Sequence, residues 1–184
     1  MLKLPVPYIS QGDSGNLCAP ACLKMVLDYL REATGDSKIP DFSLRQIAKI
    51  VHTKIDGTDF PDIQEINEKL ERPIPSLEFE VDDRSHQFRE IEDALAHQCP
   101  AIAWLHFDTG EGECCHAAVV VGYDRVGQTI MLNDPLRGQI TLTVGDFMGE
   151  WQRTEQMLIR VKLGDRLQRR ITEYFEQPAV EEAV

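Results

Sequence analysis

The hydrophobic pattern of the chain changes at Pro100, and that change limits the fold more than any other feature. Before it, apolar residues recur at helical spacing. Leu23, Val26, Leu27 and Leu30 follow Pro20, whose missing N–H is harmless in a first helical turn. Gly35 stands where it can end the run, so residues 18–33 read as a helix with Cys18 at its start. Ser43–His52 reads as a second helix with Ser43 as its N-cap, Pro61–Leu70 as a third and Ser85–His97 as a fourth, with Arg72–Val81 extended. After Pro100, Ala101–Phe107, Ala117–Tyr123, Thr129–Leu132, Gln139–Val144 and Gln156–Val161 are short, apolar and rich in β-branched residues. Turn signals at 108–110, 124–127 and 135–138 separate them. Helices first and an antiparallel meander second predict an α+β fold, N-terminal helices packed on a C-terminal antiparallel sheet. Residues 1–10 read as an extended arm. Residues 164–176 read as a charged amphipathic helix with a frayed Glu-rich end. The expected organisation is a single domain over 1–163 followed by that C-terminal helix and tail, 164–184.

Charge narrows the function. With 19 Lys and Arg against 31 Asp and Glu, the net charge is -12. Phosphate backbones and anionic membrane faces call for a basic surface, so nucleic acid is not an expected partner. No apolar run approaches the roughly 20 residues that span a bilayer, so no membrane insertion is expected. Met1–Ser10 is too short and too interrupted by proline for a signal peptide. Five cysteines, an odd number, do not make a fully paired disulfide framework and suit a reducing compartment; the expected location is cytoplasmic. No Gly-rich phosphate loop is present, and no cofactor is expected.

Four residues stand in an order that suits thiol chemistry: Gln11, Cys18, His116 and Asp134. A cysteine at a helix N-terminus sits where backbone N–H groups and the macrodipole favour the thiolate. Gln11, seven residues upstream across a Gly/Ser/Asn-rich loop, can reach back so that its amide joins the Cys18 N–H as an oxyanion hole. His116 opens the most apolar strand and can exchange a proton with Cys18. Asp134 ends the next strand, before Pro135, where it can orient the imidazole; Asn133 is the alternative orienter and His106 the alternative base. His52, His86 and His97 read as structural residues on exposed helix faces. Cys22, one turn beyond Cys18, reads as packing beneath it. A zinc site built from Cys114, Cys115 and His116 with Cys99, or with Cys18 and Cys22, is disfavoured. Consecutive strand residues point to opposite faces and cannot converge on one tetrahedral ion.

Taken together these segments resemble the papain-like double-glycine-leader (bacteriocin-processing) peptidases, cysteine peptidase family thirty-nine, and especially their stand-alone relatives. The resemblance rests on Gln11, Cys18-Ala-Pro-Ala-Cys22, His116-Ala-Ala-Val-Val-Val-Gly-Tyr123 and Asn133-Asp134-Pro135, over about residues 5–162. Pro100–Trp104 and Phe147–Trp151 also fit the family's pattern. Ala19 stands where the family usually has glycine, Leu17 where leader-processing members often have an acidic residue, and the Gln11–Cys18 loop is one residue longer. The resemblance implies a papain-like cysteine proteinase fold and a cysteine peptidase or amide hydrolase acting on a peptide or protein. A Cys-His-Asp triad would form a thioester acyl-enzyme, with a Gln oxyanion hole. No transporter domain follows in this sequence, so an export-coupled role is not expected. The alternatives are an acyl or peptidyl transferase on the same triad, and a peptide-binding module that keeps the fold with little turnover.

Overall fold

The computed structural model describes residues 1–82, 84–108 and 113–176. The first strand, β1 (Leu2–Lys3), is followed by the long helix α1 (Cys18–Thr34) and then α2 (Leu44–Ile50). A 3-10 turn, Phe60–Ile63, leads into α3 (Gln64–Glu71), β2 (Leu77–Val81) and α4 (Phe88–Ala96). Strands β3 (Ala101–Asp108), β4 (Glu113–Asp124), β5 (Thr129–Asp134) and β6 (Gly138–Thr143) form the meander. The chain closes with α5 (Val144–Gln152), β7 (Leu158–Leu163) and α6 (Asp165–Glu176). The strands run antiparallel in the order β2-β7-β3-β4-β5-β6, and β1 pairs with the far end of β4.

Helix α1 is buried along most of its circumference. Leu23, Met25, Val26 and Leu30 are wholly buried, and each such side chain contributes about 1.5–3 kcal/mol by leaving water. The helix stops at Gly35, whose φ of 59° is left-handed and costs glycine no Cβ clash. Its N-terminus lies over β4, the most apolar strand, where Ala117 to Val121 are all buried. Helices α1 and α4 both pack against this strand. The 2-period of a strand would expose one face. Here both faces are covered, which is why the segment reads as a continuous apolar run.

Three differences from the sequence reading have local causes. Helix α5 goes unread because Gly145 and Gly149 depress its intrinsic helix propensity. The structure starts it with a cap, Thr143 Oγ1 accepting the Asp146 N–H at 3.0 Å. The last strand begins at Leu158, two residues later than its composition suggests, because Glu155 and Gln156 turn the chain with φ of 56° and 57°. His86 is neither exposed nor helical. It precedes α4 with its ring buried between Asp82 and Glu90, each 3.0 Å from a ring nitrogen. Its flanking Asp and Glu belong to an ion-pair cluster that linear spacing does not reveal. Asp108 ends β3, while the rest of the turn expected at 108–110 and the tail after residue 176 fall outside the described residues, as does the side chain of Cys114.

Candidate active site

Register decides which polar side chains meet. In the β3–β4 pair His116 lies opposite Leu105 and Cys115 opposite His106. Paired residues share a face and neighbours alternate, so His106 lies on the other face from His116. In the β4–β5 pair Asn133 lies opposite Val119, again on the far face. Asp134, the next residue, comes round to the face of His116. Their side chains meet, with His116 Nε2 2.7 Å from Asp134 Oδ1. Asn133 instead donates to Val6 O at 2.9 Å and accepts from Gln139 Nε2 at 3.1 Å, pinning the N-terminal arm.

Cys18, the first residue of α1, meets the imidazole from the helix side, and its thiol hydrogen-bonds His116. With Nε2 turned to Asp134, Nδ1 is the ring nitrogen left for the sulfur. Leu17 supplies no side-chain cap to the start of the helix. Burial alone would raise the Cys18 pKa. The hydrogen bond and charge of His116, with backbone N–H groups of Ala117 and Ala19, outweigh burial and hold it below the ordinary thiol value. His116 shifts the other way. Burial would lower it, but bonding and charge from Asp134 and Cys18 lift it to about 9. Asp134 has a fully buried side chain, and burial opposes its charge. His116 and then Arg137 hold its carboxyl far below the carboxylate range. The two shifts run in the direction of a thiolate–imidazolium pair. Cys22, one turn further along α1, is buried and its thiol is pushed well up, so it stays protonated beneath Cys18.

Gln11 is buried beside the same turn. Its backbone N–H donates to Pro135 O at 3.0 Å, and Ser10 Oγ donates to the same carbonyl at 3.3 Å. Its side-chain Nε2 donates to Ser14 O at 3.0 Å, which occupies one of two amide hydrogens, while Oε1 is buried without a partner. Gly12, with φ of 65°, lets the chain double back behind it. Asn16 Nδ2 ties the end of this loop to Lys54 O at 2.6 Å, two residues before Cys18. Cys18, His116 and Asp134 thus form one chain of hydrogen bonds, and Gln11 is held against the Asp134-Pro135 turn.

Two residues at this site escape a reading of the sequence. Arg137 Nε donates to Asp134 Oδ2 at 2.5 Å, and Glu150 on α5 receives the rest of the guanidinium. The Asp-to-Arg spacing of three is a usable signal for the first contact. Nothing in the linear sequence points to Glu150.

The Peptidase_C39 like family model matches residues 3–159. The chain belongs to the C39-like peptidase family. Its fold agrees with that of solved C39-like and double-glycine proteases. A putative C39-like peptidase from Bacillus anthracis superposes with a TM-score of 0.62 at 14% identity, covering 88% of this chain and 97% of that one. A double glycine motif protease from an AMS/PCAT transporter, solved in complex with the leader peptide, superposes at 0.59 with 18% identity, covering 88% and 94%. The Lactococcin-G-processing and transport ATP-binding protein LagD of Lactococcus lactis subsp. lactis is 25% identical over 135 residues, 73% of this chain. This C39-like peptidase spans only 16% of LagD's length.

Proposed function

We propose that this C39-like peptidase hydrolyses a peptide bond through a thioester on Cys18. The Cys18 thiolate attacks the scissile carbonyl, and the oxyanion forms near the Cys18 N–H and the Gln11 amide. His116 passes its proton to the departing amine as the C–N bond breaks. It then takes a proton from water, which attacks the thioester and releases the acid, returning the sulfur to the ion pair. Asp134 keeps the imidazole in the required tautomer and supports its charge. The observation that carries this reading is the opposed pair of shifts, Cys18 down and His116 up, across a hydrogen-bonded Cys-His-Asp line. The substrate class we infer is an extended peptide, such as the leader peptide that the transporter protease binds. The net charge of -12 favours neutral or basic segments. A reducing compartment, such as the cytoplasm, fits the unpaired Cys18, Cys22 and Cys99. Among the described residues no helix is long and apolar enough to cross a membrane.

The test is the pH dependence of kcat/KM on a double-glycine leader peptide, with C18A and H116A as controls. Activity rises as pH passes the lowered Cys18 value and forms the thiolate. It falls as pH passes about 9 and His116 loses its proton. The expected profile is a bell whose limbs belong to the coupled pair. C18A and H116A should show no bell. Cleavage that survives C18A would sink the reading.

A further inference from the structure

Asp134 does not hold His116 alone. Its Oδ1 accepts from His116 Nε2 at 2.7 Å and from the backbone N–H groups of Leu136 and Arg137 at 2.9 Å each. Its Oδ2 accepts from Arg137 Nε at 2.5 Å. The far edge of the same guanidinium meets both carboxylate oxygens of Glu150, Nη1 to Oε1 at 3.2 Å and Nη2 to Oε2 at 3.1 Å. Arg137 and Glu150 are themselves largely covered, with side chains 24% and 22% exposed, so solvent screens them weakly. A planar fork holds the two carboxylates through different edges in a fixed geometry, which a lysine ammonium, a compact point charge, does not impose.

Charge alternates along this line: imidazolium, carboxylate, guanidinium, carboxylate. Neighbours attract and next neighbours repel. Arg137 therefore draws part of the Asp134 field away from His116, and Glu150 cancels part of that draw. We propose that Arg137 and Glu150 are positioning residues that set how firmly Asp134 holds the proton on His116, Arg137 loosening the hold and Glu150 tightening it. Helix α5, which carries Glu150, thereby joins the site without touching substrate. The proposal rests on the reading of Cys18, His116 and Asp134 as the catalytic line. Among the described residues, the other ionisable groups that act on His116 and Asp134 include Cys18 and Cys22 of α1. Cys22 stays a neutral thiol and adds no charge to this line.

The experiment is a ring-nitrogen NMR titration of His116 in the full chain, comparing wild type, R137M and E150Q, with iodoacetamide labelling of Cys18 against pH on the same samples. In wild type His116 titrates near 9. In R137M, freed of the competing cation, it titrates about one pH unit higher. In E150Q, with Arg137 uncompensated, it titrates about half a pH unit lower. Both variants lose turnover. A merely structural clamp would lower the melting temperature of both and shift both titrations alike, or neither; either result overturns the proposal. If R137M does not fold, the near-isosteric E150Q still decides, and an unmoved titration there overturns it. A wild-type His116 titrating near the ordinary imidazole value of about 6.5, with no thiolate labelling at neutral pH, overturns the catalytic reading and this proposal with it. Normal wild-type behaviour with variants that fail to diverge overturns this proposal alone.

Discussion

Asn133 and Asp134 are chemically close and adjacent, yet one strand step separates their roles. Asp134 ends on the face of His116, while Asn133 ends on the opposite face and holds the arm at Val6. Substituting each should therefore give different phenotypes. D134A should reduce kcat/KM about 100-fold or more, because the imidazole loses both its orienting acceptor and the charge that supports it. N133A should leave turnover nearly unchanged and lower stability by about 1–2 kcal/mol through the lost buried bonds. Steady-state kinetics and urea denaturation on the two variants check this. The reverse pattern would place the orienter at Asn133. The same parity separates His116 from His106, so which histidine meets Cys18 is decided by the register of a strand pair and not by residue type.

Strand β1 is two residues long and pairs with the end of β4, Leu2 with Tyr123 and Lys3 with Gly122. The pairing depends on Gly122. A Cβ there would lie 2.7 Å from Leu2 O and 3.1 Å from Lys3 Cα, both backbone atoms that cannot swing aside. The β4–β5 register also shifts between Val120 and Gly122, a bulge that bends the strand where the arm crosses. G122A should displace β1 and cost about 1–3 kcal/mol. The reporter is the Leu4 amide, which donates to Val121 O at 2.8 Å and should lose its hydrogen-exchange protection in the variant. The arm continues past Asn133's bond to Val6 into the Gln11 loop, which has its own anchor at Pro135 O, so turnover should stay nearly unchanged. An unchanged Leu4 exchange rate would show that the arm absorbs the methyl.

At the scale of the molecule, α6 is fastened to α1 by a mixed seam. Leu167 and Ile171 are wholly buried. Arg166 pairs with the buried Asp36 at 2.7 Å just beyond α1, and Arg170 donates to the carbonyl of Thr34, the last residue of α1, at 3.1 Å. Burial and the hydrogen bonds to Lys38 N–H and Arg166 pull on Asp36 in opposite directions, and the bonds win, keeping its carboxyl below the usual range. Deleting residues 164–184 strips two large apolar side chains from α1 and strands Asp36 without its guanidinium. The expected loss is about 3–6 kcal/mol from the Leu and Ile alone. It should appear as a single cooperative transition at lower temperature in calorimetry. An unmoved transition would mark α6 as an appendage to a self-sufficient peptidase unit over 1–163.

The sequence by itself determined the element types, because they rest on local periodicity and punctuation. Leu23 to Leu30 at helical spacing with Gly35 behind them make α1, and the β-branched runs after Pro100 make the meander. It also determined the candidates Gln11, Cys18, His116 and Asp134, since a thiol at a helix start and a histidine at a strand end are local facts. Tertiary structure alone decided the rest. Which of His106 and His116 faces Cys18 depends on register, a relation between strands that no single strand encodes. Helix α5 forms against its own glycines because Phe147 and Trp151 are wholly buried in the core, a gain that outweighs weak propensity. Glu150 reaches Arg137 only because that helix folds back past the β5–β6 turn. Charges thirteen residues apart become neighbours by packing, and packing is the part of the physics that a linear reading does not contain.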